Sequence, residues 1–329
     1  MREETVWYSL GIDTSNYRTS MALTDNRGNI ISNVRKLLEV PKGKRGLRQS
    51  EALFQHIINL QYISEEVLGN LNDDMRKNIV CVSASSRPRP VEGSYMPVFN
   101  GGVSLGKSLA AALGVAYYEF SHQEGHIEAI RHYSAFKDVD RFVSFHFSGG
   151  TTEAILVDTT MDPVNYEIVG GSKDIALGQL IDRVGVSLGM KFPCGEEMDT
   201  RACTYNGKMV ELPKIKTDTG FFNLSGIETK CQQLVGKVDS DSLITSIFNS
   251  IVTVISDVTE EIGNEYDIND FIYAGGVSSS DYLRKHLNER CSRNICFGNK
   301  ELSGDNAVGV ALLGGNTYGH KAYQCNTVK

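Results

Sequence analysis

From residue 6 the chain alternates apolar and polar positions with the two-residue period of strands. VWYSLGID (6–13) predicts a first strand, TSNYR a small-polar turn, and TSMALTD (19–25) a returning strand; IISNVRK follows the turn NRGN. The plan returns half a chain later: RFVSFHFSGG (141–150) ends in Gly149 and Gly150, TTEAILVD (151–158) runs back, and YEIVGG (166–171) forms a third strand. Each trio gives way to helical and mixed pattern. The repetition predicts an α/β fold of two duplicated lobes, 1–138 and 139–329, with an interlobe cleft. A final helix near residues 305–318 is expected to pack back toward the N-terminal lobe.

The clearest helix is DSLITSIFNSIVTVISDVTEEIG (241–263). Leu243, Ile244, Ile247, Phe248, Ile251, Ile255, Val258 and Ile262 recur at three- and four-residue steps, and Gly263 and Asn264 read as stop signals. A buried-type strand in DFIYAGGVSSS (270–280) follows and ends in Gly275 and Gly276. SGDNAVGVALLGG (303–315) closes the chain with a helix whose first turn carries Asp305.

Composition narrows the class. With 41% hydrophobic and 22% charged residues over 329 positions, the chain reads as an ordinary soluble globular protein. No apolar run approaches the roughly 20 residues that span a bilayer, and the N-terminus lacks the h-region of a signal peptide, so a cytoplasmic location and no membrane partner are expected. Seven dispersed cysteines without a CxxC read as reduced thiols, which disfavours a thiolate zinc site. A net charge of −7 argues against gripping a nucleic-acid backbone unaided. The basic run PKGKRGLRQ (41–49) reads as a solvated loop.

Three polar turns could carry chemistry. Asp13, Thr14 and Ser15 end the first strand and can offer N–H groups and hydroxyls to a phosphate, with a carboxylate for a cation. FSGGTT (147–152) repeats this in the second half, and AGGVSSS (274–280) suits a ribose or base. Together they point to nucleotide binding. In SHQEGHIEAI (121–130), His122 and His126 stand at i and i+4, so on a helix they share a face and can share a metal. Glu124, two positions from each, is not placed as the base of an HExxH site. A third ligand has to come from elsewhere.

Taken in order, these stretches resemble the TsaD/Gcp family of universal transferases that make threonylcarbamoyladenosine in tRNA, within the actin-like, sugar-kinase and Hsp70 ATPase superfamily. LGIDTSNYRTSMAL is similar to the family's GIETS segment, GLRQSEALFQH to its PREAxxHH stretch, SHQEGHIEA to its HMEGH helix and FSGGTTEAILV to SGGHT. DIALGQLIDRVGVSLGMKFPCG resembles DxAGExFDKxAKLLGLxYPGG, AGGVSSSDYLR resembles GGVSANxxLR, and GDNAVGVA resembles TDNGAMIA. The resemblance implies a metal, iron or zinc, held by His122, His126 and Asp305. It also implies substrate contacts at Phe147, Ser148, Gly149, Gly150, Thr151, Asp182, Gly195 and Ser280, beside the turn residues Gly275 and Gly276.

The implied reaction moves a threonylcarbamoyl or carbamoyl group from an adenylate to an amine, N6 of adenosine beside the anticodon in the family, with ATP, AMP or an acyl-adenylate as ligand. No side chain is marked as general base. Implied partners are tRNA, through basic partner subunits, and a TsaB-like paralogue. The chain departs from the pattern at Asn16, Tyr17 and Arg18 after TS, at Thr151 for the histidine of SGGHT, at Ser280 for the asparagine of GGVSAN, and at Cys194 before Gly195. Loop 85–102 lacks the GPGLVGAL pattern and brings in Arg87 and Arg89. These are the marks of a divergent paralogue. The alternatives are a carbamoyltransferase with a non-tRNA acceptor, an actin-like small-molecule kinase, which has no need of paired histidines, and a non-catalytic nucleotide-binding partner.

Overall fold

Period-two alternation in the first third of the chain produces strands buried on both faces at the sheet's centre. The computed structural model describes residues 5–15, 17–40, 47–161, 164–298, 302, 304 and 307–327, the last seven as backbone. It divides into two compact units, one of residues 1–132 with 304–329 and one of 133–303.

The first unit opens with β1 (Tyr8–Asp13), β2 (Arg18–Asp25) and β3 (Ile30–Leu37), followed by helix α1 (Gln49–Gly69) and the short α2 (Asp73–Lys77). β4 (Ile79–Arg87), α3 (Phe99–Leu113), β5 (Ala116–Ser121) and α4 (His122–His132) complete it. The sheet order is β3-β2-β1-β4-β5. β1–β2 and β2–β3 are antiparallel, whereas β1–β4 and β4–β5 are parallel. Leu10, Ile12, Met21, Leu23, Val82 and Ala84 form its core with Leu60, Ile63 and Val67 of α1.

The second unit holds β6 (Arg141–Phe147), β7 (Thr152–Asp158), β8 (Asn165–Ser172), α5 (Leu177–Ser187), α6 (Gly195–Thr204), β9 (Thr217–Asp218), β10 (Phe221–Phe222) and α7 (Ser225–Leu234). α8 (Ser240–Tyr266), β11 (Asp270–Ala274), a 3-10 turn at Gly276–Ser279, α9 (Asp281–Arg290) and β12 (Asn294–Phe297) follow. Its sheet runs β12-β11-β6-β7-β8-β10-β9. β6–β7 and β7–β8 are antiparallel, and β6–β11 and β11–β12 parallel. The five-strand plan of the first sheet is therefore repeated strand for strand. The duplicated α/β architecture expected from the alternation is present.

Several boundaries differ from the sequence expectation: β6 stops at Phe147 rather than at Gly150, and the last helix starts at Val308 rather than with Asp305 in its first turn. β11 ends at Ala274, because Gly275 has φ +91° and a Cβ there would lie 2.3 Å from the Phe147 carbonyl oxygen. This is left-handed backbone in close contact with a neighbouring strand end, a position only glycine fills. α8 runs past Gly263 and Asn264 to Tyr266. Asp267 ends it at φ +53°, and Ile268 N–H closes on Gly263 O at 3.0 Å, the pairing of a Schellman stop.

By length and composition α8 could also cross a membrane, in contrast to the sequence reading of apolar runs. Its apolar residues instead form the centre of the second unit's core, with Leu243, Ile244, Ile247, Ile251, Ile255 and Val258 at 0% exposure. Each such side chain contributes about 1.5–3 kcal/mol on burial. Asp239 starts the helix by accepting from Ser242 N–H at 2.8 Å.

α10 (Val308–Thr327) returns to the first unit. It packs on β1, where Ser9 Oγ donates to Ala311 O at 2.7 Å, and on α4, where Asn316 Nδ2 donates to Glu128 Oε1 at 3.2 Å. The α4–α10 crossing is closed by glycine: a Cβ on Gly309 would lie 1.7 Å from the carbonyl oxygen of Gly125.

Asp174 ties β8 to the start of α7, accepting from Ile175 N–H (2.7 Å), Leu224 N–H (2.8 Å), Ser225 N–H (2.9 Å) and Ser172 Oγ (3.1 Å). Desolvation opposes ionisation, but the hydrogen bonds from Leu224, Ser225 and Ile175 outweigh it and hold the carboxyl well below the usual carboxylate range. A depressed folded pKa stabilises fully above the unfolded value, near ~3.9, and the contribution is lost as pH falls through the folded value. Asp174→Asn is therefore less stable than wild type at neutral pH, and the urea midpoints of the two proteins converge below about pH 4.

Candidate functional site

β5 runs directly into α4 through a capping box. Ser121 Oγ accepts from Glu124 N–H at 3.1 Å, and Glu124 Oε2 accepts from Ser121 N–H at 2.5 Å. The Ser-x-x-Glu spacing of SHQEGH is the sequence signal for this cap. It fixes His122 as the first helical residue and His126 one turn on. Glu124 also faces Arg87 Nη2 at 3.4 Å, so its carboxylate is engaged at the helix start and with the last residue of β4.

The two imidazoles meet. His126 Nε2 lies 2.9 Å from His122 Nε2, with ring centroids 4.3 Å apart and planes at 81°. Asp13 at the end of β1 is 0% exposed and lies 3.2 Å from His122 Nδ1 through Oδ1. Ser15 Oγ donates to its Oδ2 at 2.5 Å, and Ser85 Oγ donates to its Oδ1. Burial works against ionisation of Asp13. The His122 ring beside it and the hydrogen bonds from that ring, Ser15 and Ser85 outweigh burial and hold the carboxyl below its ordinary range. Asp13, Ser85 and His122 thus stand at the carboxyl ends of three neighbouring parallel strands, β1, β4 and β5, where open α/β sheets bind ligands. Thr14 turns away, its Oγ1 donating to Val98 O and accepting from Gly102 N–H.

The donor set suits a divalent ion. Two nitrogens each ~2.1 Å from one ion and 2.9 Å apart subtend about 90°. That angle fits a site with open positions, and two histidines with a carboxylate are found with both zinc and non-haem iron. Among the described residues no group of three or more His, Cys, Asp or Glu side chains is placed to hold a metal. Asp305, the expected third ligand, lies outside the described residues.

In the second unit the turn after β6 is closed on itself. Ser148 N–H donates to Thr151 O at 2.9 Å, and Ser148 Oγ accepts from Gly150 N–H (3.2 Å) and Thr151 N–H (3.0 Å). Gly149 and Gly150 are exposed, with open space where a Cβ would stand. The Phe147 ring is buried against Phe145 and Tyr273, so only its backbone borders the turn, beside Gly275. Asp182 Oδ1 accepts from Cys194 N–H at 2.8 Å and holds the loop leading to Gly195, where α6 begins. Ser280 caps α9, and its Oγ donates to Asp199 Oδ1 at 2.5 Å. Asp199 also accepts from Asp281 N–H and Tyr282 N–H. Gly276 opens the 3-10 turn with no atom near its missing Cβ.

Sequence reading did not single out Ser85 or Asp199. Each meets its partner across 72 and 81 residues respectively, and no local signal marks such a contact.

The doubled strand plan is that of the actin-like ATPases and sugar kinases. Component A of the (R)-2-hydroxyglutaryl-CoA dehydratase of Acidaminococcus fermentans superposes with a TM-score of 0.57 at 18% identity, over 94% of this chain and 98% of that one. A ROK family glucokinase from Streptomyces griseus does so with a TM-score of 0.51 at 12% identity, over 93% and 99%. Within that fold the chain belongs to the TsaD family, tRNA N6-adenosine threonylcarbamoyltransferase, whose family model matches residues 29–312. It is a transferase of that family. The tRNA N6-adenosine threonylcarbamoyltransferase of Staphylococcus saprophyticus is 27% identical over 93% of this chain and 90% of its own length.

Proposed function

We propose that this chain transfers a threonylcarbamoyl group from its adenylate to N6 of adenosine beside the anticodon of a tRNA. The observation that carries the reading is the pairing of His122 and His126, Nε2 to Nε2 at 2.9 Å, at the carboxyl ends of parallel strands in a chain of this family. A phosphotransfer site of the kinase type takes its cation through carboxylates, phosphates and water and needs no paired imidazoles.

His122, His126 and Asp305 would hold one iron or zinc ion; that α10, which follows residue 305, packs on α4 and β1 supports the third member. When bound, the ion supplies Lewis-acid polarisation of the carbamoyl oxygen. The chain's own groups do the rest. The Gly149 and Gly150 backbone would approach phosphate oxygens closely, since no side chain intervenes, and Ser148 holds that turn in shape. Asp182 would accept from ribose hydroxyls, and Gly276 leaves space for a flat ring. Attack by the N6 amine forms the new C–N bond as the carbamoyl C–O bond to phosphate breaks; AMP departs and the amine proton passes to solvent. With a net charge of −7, the chain would meet tRNA through basic partner subunits, a TsaB-like paralogue among them, in the cytoplasm.

The test is replacement of an authentic tRNA threonylcarbamoyltransferase by this chain in a depleted cell. Appearance of the modified nucleoside in digested tRNA supports the proposal. Its absence, with the protein expressed, folded and supplied with its own partner subunits, assigns the transferase to a different amine acceptor.

A further inference from the structure

Asp13 is a fully buried acid at the end of β1, and burial of a carboxylate is costly unless it is paired and hydrogen-bonded. An ionised carboxylate only accepts hydrogen bonds. Facing it, the hydroxyls of Ser15 and Ser85 therefore donate, and so does the nearest ring nitrogen, Nδ1 of His122 at 3.2 Å. A neutral imidazole carries a single N–H. With that proton on Nδ1, Nε2 of His122 is left as a lone pair, and Nε2 is the atom that points at His126. The orientation is over-determined: Asp13 is clamped by two hydroxyls from β1's own turn and from β4, and the Phe99 ring lies 6.4 Å from the imidazole.

We propose that Asp13 is a positioning residue that locks His122 in the Nδ1–H tautomer, so that its Nε2 lone pair is presented at the point it shares with His126, with Ser15 and Ser85 fixing Asp13 in turn. It deepens the metal reading of the histidine pair and rests on it for its consequence, while the tautomer itself does not depend on a metal. Carboxylate-to-histidine contacts of this kind set ring orientation and raise ligand basicity wherever imidazoles hold metals. The same geometry explains how an acid at a strand end can serve a ligand site without facing it.

The test uses the full chain with nitrogen-labelled histidine, stripped of metal, at about pH 8, where an ordinary imidazole is neutral. Long-range nitrogen–proton spectra of wild type should show His122 with a protonated Nδ1 and a bare Nε2. In Asp13→Ala that signature should be lost, and zinc alone, titrated by a competing chelator, should bind roughly 10–100-fold more weakly. Asp13→Glu, which keeps a carboxylate, should recover the signature. Two results would overturn the proposal: a wild-type His122 protonated on Nε2, or an Asp13→Ala protein that keeps both the tautomer and zinc affinity within about twofold. The wild-type spectrum decides even if the alanine variant does not fold. If the tautomer behaves as described and wild type binds neither zinc nor iron, the metal reading fails and the assignment of Asp13 stands.

Discussion

The double variant His122→Ala, His126→Ala is expected to lose its metal outright. Elemental analysis of purified wild type should find about one iron or zinc per chain, and of the double variant none above background. Two of the three proposed donors go, and a lone carboxylate in water does not retain a transition ion at micromolar protein. The fold should survive. His122 is one-fifth exposed at the helix start, and the capping box of Ser121 and Glu124 does not involve either ring. Removing His122 does leave the buried carboxylate of Asp13 with Ser15 and Ser85 as its donors among the described residues, so a modest fall in melting temperature accompanies the loss. Transfer activity should fall with metal content. Equal metal in wild type and double variant would show that these imidazoles hold no ion and would remove the observation on which the functional reading stands.

Gly309→Ala should be the most damaging single methyl in the first unit. The added carbon would lie 1.7 Å from Gly125 O, 2.6 Å from Gly125 C and 2.9 Å from Ala129 N, all backbone atoms of α4. Backbone cannot rotate aside as a side chain does, so α4 and α10 must separate and their interface must repack. Overpacking of this kind costs roughly 3 kcal/mol or more, a fall in melting temperature of about 6–12 °C for a unit of this size. Because α4 carries both histidines, zinc affinity should drop with it. The control is Gly226→Ala on α7, an exposed helical position with nothing near the added methyl. There the change should be neutral or stabilising by about 0.4–1 kcal/mol. If calorimetry finds the two variants equal, the close crossing does not exist in solution.

Much of the site was legible locally. The i, i+4 spacing of His122 and His126 requires only that residues 121–130 be helical, and the Ser-x-x-Glu cap makes that start specific. The strand end at Asp13 follows from alternation that stops at small polar residues, whereas the expected run to Gly150 stops three residues earlier, at Phe147. The partners of those residues were not legible. Asp13 reads as a phosphate or cation residue because it ends a strand beside hydroxyls; of the groups that take up its carboxylate only Ser15 is local, whereas Ser85 and the His122 ring come from segments 72 and 109 residues away. The partner of Ser280, Asp199 on α6, lies 81 residues away in the chain and had no local signal either.

The sequence by itself determined the two strand trios, the long helix of the second half, the histidine pair and the family, because periodicity and motif spacing are properties of short stretches that the chain cannot evade. Only the tertiary structure decided which atoms face one another. Parallel register set β1, β4 and β5 side by side and so joined Asp13, Ser85 and His122; the missing side chains of Gly125 and Gly309 let α10 close on α4; and a left-handed Gly275 brought two strand ends together. Those contacts depend on through-space distances among residues remote in the chain, and a linear pattern of polarity holds no record of them.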